Sequence, residues 1–390
     1  MPAILGLRGT GDWATDERPK NWREMILYLF PNGEAPLMGA LSKLGSEPTD
    51  DPEFHWWEKE LPAATVTVAS YSGTATSGTI TLDGDANLCP KGTVLENFNS
   101  SPAGEVMYVD QDPTTDTEVH VVRNLNGLTT PSDPASTNVL HIVTANYRHG
   151  SPLPTAVGTN PVKNNNYTEI HRTPLSMTRT AMKTRLRTGE AWRNAKIEAL
   201  QIHSIRCEQP LFVGRAVSTT FEGQPMYFTG GHKHFTPSGN VLSIGNFTED
   251  FWDEKMRVMY EFGNLEKMMY SGSKVSLSLT TMAKKQGFTM IDVGNQAWGQ
   301  KITALQGPAM GILYIKIHPL LTRITKYQDD GFVFDLPKMT WRYIDDTQYV
   351  TFRQNRGDDF RSDEFLTEGG LEFHHAKSFF KLEDFGSFLS

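Results

Sequence analysis

The stretch FHWWEKEL, residues 54–61, places two adjacent tryptophans among charged residues. The β-branched run TVTV follows at residues 65–68, so we predict an extended strand in this part of the chain. Neighbouring side chains of a strand point to opposite faces, so Trp56 and Trp57 cannot both enter one core. The stretch alone leaves three surroundings open for the outward tryptophan: a ligand, a second subunit or solvent.

The residues before this stretch predict an arm and a short helix. Residues 1–35 contain a short helical pattern, WREMILYLF at residues 22–30. In PNGEAPLMGALSKLGSEP, residues 31–48, the run LMGALSKLG predicts a second short helix, and Gly45 is its predicted stop.

Residues 72–145 predict a small all-β module. Gly, Thr, Ser, Asp and Asn recur there at turn spacing. Short alternating runs separate these turns, namely TITLDG, GTVLENF, GEVMYVD, EVHVVRN and NVLHIVT. Such regular short runs are typical of a barrel or a sandwich. Because strand-like sequence continues on both sides, we predict that the module is an insertion. Residues 146–175 are rich in Pro, Gly and Asn and are predicted to form the loop that leads back from the module.

A long helix is predicted after Pro174, with Ser176 as its N-cap and Pro210 at its end. Its narrow apolar stripe consists of Trp192, Ala195, Ala199 and Ile202. Arginine and lysine outnumber glutamate along this segment. Three roles are open for these basic residues: contact with nucleic acid, pairing with acidic residues of a neighbouring chain, or exposure to solvent. The net negative charge of the whole chain favours contacts between subunits.

The rest of the chain predicts a mixed pattern. TEDFWDEKMRVMYEFGN, residues 248–264, predicts a helix with acidic residues in its first turn. We predict a strand for KVSLSLT, residues 274–280, and a short helix for TMAKKQG. Later strands are predicted in GILYIKIHPLL, GFVFDLPKMTWRYI, TQYVTFRQN and LEFHHAKSFFKLE. The predicted fold class is therefore α+β.

Composition excludes several classes of function. The chain has 390 residues and a formal net charge of −8, which disfavours wrapping of duplex DNA by phosphate neutralisation. Its two cysteines, Cys89 and Cys207, are too few for a disulfide framework or a four-cysteine zinc site. The N-terminal residues do not have the pattern of a signal peptide, and no apolar run reaches the roughly 20 residues of a membrane span. We therefore expect a cytoplasmic origin.

Histidines are the candidates for metal chemistry. His232 and His234 in GGHKHF are predicted to share one face of a strand, and His374 and His375 lie in another predicted strand. A metal site needs three or four convergent ligands, so two such pairs are weak evidence. The alternative function on this basis is a metal-dependent hydrolase that uses a His/Asp cluster. The paired aspartates of the chain are more typical of turns between strands.

The order of these segments resembles the major capsid proteins of tailed bacteriophages with the Hong Kong 97-type fold. The resemblance is carried by the turn and helix of residues 31–44, by His55, Trp57 and Leu61 in the following strand, and by NNNYTEIHR before a long helix. EKMRVMYEFGN followed by VSLSLTTMAKK, and the closing residues 357–386, fit the same order. The family's frequent Val-Asn-Pro near the axial strand is absent from SLSLTT.

The resemblance implies a fold with an N-terminal arm, an E-loop, a peripheral domain with a long spine helix, and an axial domain. The implied segments are the arm at 1–47, the E-loop region at 48–173 with its all-β insertion at 72–145, the peripheral domain with the spine helix at 174–245, the axial domain at 246–310, and the return strands of the peripheral domain at 311–390. The implied function is structural, without a cofactor or catalytic site.

The implied partners are further copies of the chain in capsid hexamers and pentamers. The other implied partners are a portal, scaffold or decoration proteins, and DNA packaged non-specifically on the inner face. No membrane partner is implied. The implied location is the virion, after assembly in the host cytoplasm. We predict that one tryptophan packs beneath its own loop and that Trp57 anchors an adjacent subunit. The subunit-contact candidates are Trp22, Trp56, Trp57, Arg148, Arg172, Arg179, Arg185, Arg187 and Trp192. Lys163 and Asn355 are candidates for an isopeptide bond between chains.

Overall fold

A computed structural model describes residues 36–99, 104–128, 131–184, 190–286, 291–292, 303–306, 311–351 and 357–389. The predicted helix at residues 22–30 lies outside these ranges. The described residues form two compact units, one made of residues 57–163 and the other of the remaining residues.

The helices that the structure describes are α1 (Pro36–Leu44), α2 (Arg179–Lys183), α3 (Ala191–Val213), α4 (His232–Phe235), α5 (Glu249–Met259), α6 (Ser273–Gln286) and α7 (Pro319–Arg323). The strands are β1 (Ser46–Pro48), β2 (Glu53–Glu58), β3 (Thr65–Gly73), β4 (Ser77–Leu82), β5 (Thr93–Asn97), β6 (Glu105–Val109), β7 (Glu118–Val122), β8 (Val139–Ala145), β9 (Val162–Tyr167), β10 (Glu169–Thr178), β11 (Val217–Phe221), β12 (Gln224–Phe228), β13 (Val241–Phe247), β14 (Glu266–Ser271), β15 (Ile291–Asp292), β16 (Thr303–Gln306), β17 (Ile312–Ile317), β18 (Gly331–Phe334), β19 (Met339–Val350), β20 (Phe360–Phe373) and β21 (Phe380–Phe388).

The unit of residues 57–163 contains a closed six-stranded barrel in the order β3-β4-β7-β6-β5-β8. Alternate side chains fill its interior, as the two-residue period of a strand requires. The buried apolar residues of this core include Val66, Val68, Ile80, Leu82, Leu95, Met107, Val109, Val119, Val121 and Leu140. The five predicted runs are strands β4 to β8. The barrel begins before the predicted boundary at residue 72, because β3 starts at Thr65 and pairs with both β4 and β8.

One ion pair is buried inside the barrel unit. Arg123 donates to Glu105 from Nε at 2.8 Å and from Nη2 at 2.9 Å, and neither side chain is exposed to solvent. Tyr71 packs its ring 4.8 Å from the Arg123 guanidinium. The two parallel hydrogen bonds satisfy both charges, so this pair does not carry the penalty of an isolated buried charge.

The other unit is built on two mixed sheets. A four-stranded sheet has the order β1-β19-β20-β10, and a seven-stranded sheet has the order β13-β21-β18-β14-β17-β16-β15. The smaller pairs β2-β9 and β11-β12 complete the described strand pairing. Helices α5 and α6 contribute to one core with the seven-stranded sheet, whereas α1 and the end of α3 contribute to a second core. This mixture of helices and mixed sheets agrees with the predicted α+β class.

The segment predicted as one long helix has a different structure. Ser176 lies in β10 and is not an N-cap, because β10 pairs with β20 along its whole length, from Glu169 to Thr178. Thr178 caps the short helix α2 by accepting from the Ala181 N–H at 3.3 Å. Residues 185–189 lie outside the described ranges. The long helix α3 then runs past Pro210 and ends at Val213.

Burial explains why α3 does not end at Pro210. Leu211 and Phe212 are almost completely buried in the core that also contains Phe332 and Phe334. Proline removes one backbone donor from a helix, but the packing of the next two residues offsets this loss. The Gly214 N–H donates to the Pro210 carbonyl at 2.7 Å and closes the helix.

A second correction concerns KVSLSLT, which forms the first half of helix α6 and not a strand. Val275, Leu279 and Met282 are buried at helical spacing, whereas Leu277 is exposed. Alternation of apolar and polar residues predicts a strand, but packing against the seven-stranded sheet selects the helical period.

Two later predicted strands have other bounds. TQYVTFRQN begins as the end of β19, and LEFHHAKSFFKLE spans the end of β20, a turn and the start of β21.

Helix α1 confirms the predicted short helix and its stop. Leu37, Ala40 and Leu41 lie on its buried face. Gly45 follows with a φ of +147°, a conformation that side chains rarely adopt. The helix TEDFWDEKMRVMYEFGN is also confirmed as α5, capped by the Thr248 side chain.

Among the described residues, no helix is both long enough and apolar enough to cross a membrane.

Candidate functional site

Strand β2 separates the two tryptophans as the strand pattern predicts. Trp56 is 6% exposed, whereas Trp57 is 65% exposed. Trp56 packs with Phe54, Phe235 and His374 at ring-centroid distances of 6.2, 5.8 and 6.4 Å. Besides Phe54 of its own strand, these rings belong to α4 and to the residue after β20, so packing beneath its own loop accounts for only part of the burial of Trp56.

The residues that follow Trp57 continue its exposed surface. Leu61 is 92% exposed, and Lys59 and Glu60 between them are also exposed. Exposed apolar residues are ordinary when they are scattered, but Trp57 and Leu61 stand close together in sequence next to a strand held by Trp56. We call residues 57–61 the Trp57 segment.

Two arginine candidates have partners within their own chain. Arg172 donates from Nε and Nη2 to the same Glu364 oxygen at 2.9 and 2.7 Å, across the β10–β20 pair. Arg179 lies 2.7 Å from a carboxylate oxygen of Asp359, and both side chains are largely exposed. Exposed pairs of this kind add little stability. The predicted contact of Arg172 and Arg179 with a neighbouring subunit stays a prediction.

Trp192 lies on the covered side of α3. Its ring packs partly against the buried cluster of Leu175, Ala199 and Phe365. The guanidinium of Arg361 lies 4.7 Å from the Trp192 ring. An Arg-on-indole contact of this kind is a stabilising cation–π interaction within the chain.

The other subunit-contact candidates lie elsewhere. Arg148 is exposed shortly after strand β8. Trp22, Arg185 and Arg187 lie outside the described residues, as does Asn355 of the isopeptide pair. The structure therefore brings Trp56 into a core, leaves Trp57 outside and gives Arg172 and Arg179 acidic partners within their own chain.

The histidine candidates do not form a metal site. His232 and His234 lie in the short helix α4 and not on a strand. His232 is completely buried, with Nε2 2.9 Å from the Val333 carbonyl oxygen and Nδ1 3.1 Å from the Thr236 hydroxyl. Burial lowers the pKa of His232 to about 4, despite the hydrogen bond to Val333. His232 is therefore a neutral core residue whose two ring nitrogens are both occupied.

The second histidine pair lies in a turn. His374 lies 2.8 Å from Glu372, and His375 has a φ of +57° just after β20. Within the described ranges, no three His, Cys, Asp or Glu side chains converge to hold a metal ion. Cys89 and Cys207 are buried thiols, and burial raises the pKa of Cys89 to about 11 and that of Cys207 to about 12. These environments favour packing over nucleophilic chemistry.

Sequence reasoning missed a buried polar network at the start of α1. The Glu208 carboxylate accepts from His318 Nε2 at 2.6 Å and from the Leu37 N–H at 2.9 Å. His318 Nδ1 accepts from the Leu320 N–H, so its Nε2 carries the proton. No local signal identifies this network, because its members lie more than 100 residues apart in the sequence.

Comparisons with known proteins agree with this geometry. Residues 8–386 match the family described as SU10 major capsid protein. A major capsid protein of Pseudomonas phage PaMx41 is 24% identical over 339 residues, which cover 84% of this chain and 79% of that protein. The capsid protein of an empty GTA particle aligns with a TM-score of 0.50 and 8% identity over 97% of this chain and 99% of that chain.

These comparisons decide between the two functions left open by the sequence. The family match spans nearly the whole chain, and the relatives are structural capsid proteins and not enzymes. The fold is the Hong Kong 97-type fold expected from the order of segments. The family therefore favours the structural function over the metal-dependent hydrolase. The chain belongs to the SU10 major capsid protein family and is a bacteriophage major capsid protein.

Proposed function

We propose that copies of this chain assemble into hexamers and pentamers of a closed icosahedral or prolate shell around packaged double-stranded DNA. The observation that carries this proposal is strand β2, on which Trp57 is 65% exposed beside the buried Trp56. Burying an indole removes a large apolar area from water, so a tryptophan held on a rigid strand is a strong contact anchor.

We assign the segments of the chain by the family's architecture. The assignments are the arm at 1–47, the E-loop region at 48–173 with its insertion at 72–145, the peripheral domain at 174–245, the axial domain at 246–310 and the return strands at 311–390. Support for the E-loop region comes from β2 and β9, which pair with each other at the two ends of the barrel unit. This pairing brings the two segments that flank residues 59–161 side by side.

Shell stability in this proposal comes from many weak contacts. An arm and an extended loop each reach a neighbouring copy, so every chain takes part in several interfaces. Once one contact forms, the others become effectively intramolecular, and the closed shell is much more stable than any single interface.

The formal net charge of −8 supports an inner wall that does not hold DNA tightly. Tight binding of duplex DNA requires dense arginine and lysine, which release counterions from the phosphates. We propose that packaged DNA contacts the shell non-specifically. A portal and scaffold or decoration proteins join the shell, and assembly takes place in the host cytoplasm before the chain becomes part of the virion.

Negative-stain microscopy of the purified full chain tests this proposal. Rings or closed shells with five-fold and six-fold capsomers are the expected result. Nuclease-protected DNA in shells isolated from infected cells is the expected result for packaging. A chain that stays monomeric at the concentrations found in an infected cell would overturn the assembly proposal.

A further inference from the structure

The hairpin β11–β12 follows helix α3 and has two different faces. The register pairs Val217 with Phe228 and Thr219 with Met226. Paired residues and residues two apart share a face, so Val217, Phe221, Met226 and Phe228 lie on one face together with Thr219 and Gln224. We call this mainly apolar side of the hairpin its apolar face. Phe221 is 64% exposed, although it is a large apolar residue.

The opposite face of the hairpin is held by its own chain. Tyr227 stacks on Tyr167 of β9, with ring centroids 5.5 Å apart and planes inclined by 19°. A two-stranded hairpin is marginally stable by itself in water, so this stack fixes its position. The apolar face is then presented outward in a fixed orientation.

A groove of about 590 Å³ lies at the base of this apolar face. Pro210 and Val213 from the end of α3, and Val217 and Phe228 from the hairpin, form its apolar wall. This volume lies within the range of sites that bind a ligand or a partner side chain. The wall of the groove and the apolar face of the hairpin form one continuous surface.

The lining of the groove includes a buried histidine, one of whose ring nitrogens has no partner among the described residues. His171 is 8% exposed, and its Nε2 makes no hydrogen bond within the part of the chain that the structure describes. Burial, together with the nearby His203, lowers the pKa of His171 to about 4, so its ring is neutral at pH 7. A buried polar atom of this kind normally has a partner, which an incoming group can supply.

Positive charge predominates around the groove. Arg206 and Arg215 line it and are exposed, and neither forms an ion pair with another described residue. Besides burial, Arg206 lowers the pKa of His203 and Arg215 lowers that of His234. The remaining charged lining residue is Glu169, whose carboxylate accepts from the Thr229 N–H and whose pKa is raised by burial. An acidic partner with an apolar anchor is therefore complementary to the groove.

The Trp57 segment has this chemistry. Trp57 and Leu61 supply two exposed apolar side chains, and Glu58 and Glu60 outweigh Lys59 in charge. Because Trp56 is buried, the start of the segment is held in an extended conformation before binding. Binding then costs less conformational entropy than it would for a free peptide.

We propose that the Trp57 segment of one copy binds in the groove of a neighbouring copy, with Trp57 against the Val213–Phe228 wall and Glu60 beside Arg215. This inference rests on the proposed assembly of copies into a shell and names the surfaces that make one of its contacts. The indole N–H of Trp57 is a donor that suits His171 Nε2 in the tautomer whose proton is on Nδ1.

Charge reversal tests the contact in the full chain. Arg215→Glu is expected to lower the yield of shells at least about tenfold, the effect of losing ~1.4 kcal/mol per contact. Combining Arg215→Glu with Glu60→Arg in one chain is expected to restore the yield, because the charges are then exchanged. Arg193→Glu, an exposed change on α3 away from the groove, is the matched control and is expected to assemble normally.

Disulfide trapping tests the same contact without loss of Trp57. The double variant Glu60→Cys/Arg215→Cys is expected to give linked chains on non-reducing gels after assembly. Each single variant is expected to stay monomeric on the gel, since Cys89 and Cys207 are buried.

The possible failures are distinguishable. Wild-type chain that forms no shells overturns the proposed function. Wild-type shells together with full assembly of Arg215→Glu overturn the groove contact alone. Loss of assembly in Arg215→Glu that Glu60→Arg does not restore, with no trapped chains, assigns the groove to another occupant such as residues 1–35 and also overturns the proposal.

Discussion

Trp56 and Trp57 are adjacent in the sequence but have different roles at the residue scale. The pleat of β2 directs the Trp56 side chain into contact with Phe235 and His374. The same pleat directs Trp57 to the surface. Alternation along a strand is a local rule, so the sequence alone predicted that the two side chains differ. It did not identify Phe235 and His374 as neighbours, because these contacts span about 180 and 320 residues.

Alanine substitutions are expected to separate these two roles. Trp56→Ala should lower the free energy of unfolding by about 3–5 kcal/mol, because it leaves a cavity in a packed core. Trp57→Ala should change it by less than about 0.5 kcal/mol and should instead reduce shell formation. Urea denaturation of the unassembled chain and microscopy of the assembled product measure the two effects. Normal assembly and normal shell stability in Trp57→Ala would contradict the role of Trp57.

Glu208 is a second residue whose role follows from its partners. Glu208→Ala removes the acceptor of His318 and of two N–H groups at the start of α1. Leaving these buried donors unpaired should cost about 3 kcal/mol of unfolding free energy. The control is Glu198→Ala, the same substitution at an exposed position of the same helix. Equal denaturation midpoints for the two variants would show that the network does not stabilise the fold.

At the scale of elements, prediction from sequence depended on how local the signal is. Helix α5 was predicted because an acidic first turn and a helical apolar period agree. Strands β4 to β8 were predicted because turn residues bound short alternating runs. The second half of helix α6 was predicted as TMAKKQG, but its first half was missed because KVSLSLT alternates like a strand. Packing against the seven-stranded sheet selects Val275 and Leu279 as buried positions. Ser176 was misassigned because its pairing partner in β20 lies far along the chain.

The barrel should unfold as an element of its own. Leu95→Ala removes a completely buried side chain from the barrel core and should destabilise the barrel by about 2–5 kcal/mol. Hydrogen exchange should become faster in β3 to β8, whereas β19 and β20 should keep their protection. The control is Leu125→Ala, since Leu125 is 54% exposed. Faster exchange throughout the chain would contradict independent unfolding.

At the scale of the whole molecule, buried histidines make stability depend on pH. Burial lowers the pKa of His171 and of His232 from 6.5 to about 4. The unfolded chain therefore binds these protons between pH ~6.5 and ~4, whereas the folded chain does not. Stability is complete above pH ~6.5 and falls as the pH decreases towards ~4, by about 3 kcal/mol for each histidine.

Urea denaturation at pH ~7 and at pH ~4.5 measures this loss. His171→Asn removes one of the groups with a lowered pKa and should reduce the difference in unfolding free energy between the two pH values. His149→Asn changes an exposed histidine and should leave the difference as it is in the wild-type chain. A His171→Asn variant with the wild-type pH dependence would contradict the assignment.

Sequence patterns predicted the α+β class, the all-β module, several helices and the opposite orientation of Trp56 and Trp57. The module, the helices and the tryptophan orientation depend on period and turn chemistry, which are readable over a short stretch, and the fold class follows from the order of the segments. Only the folded chain shows the closure of the barrel, the end of α3, the helical first half of α6, the burial of His232 and the groove beside Arg215. These features depend on contacts between distant residues, whose packing free energy overrides local preference and leaves no pattern in any one segment.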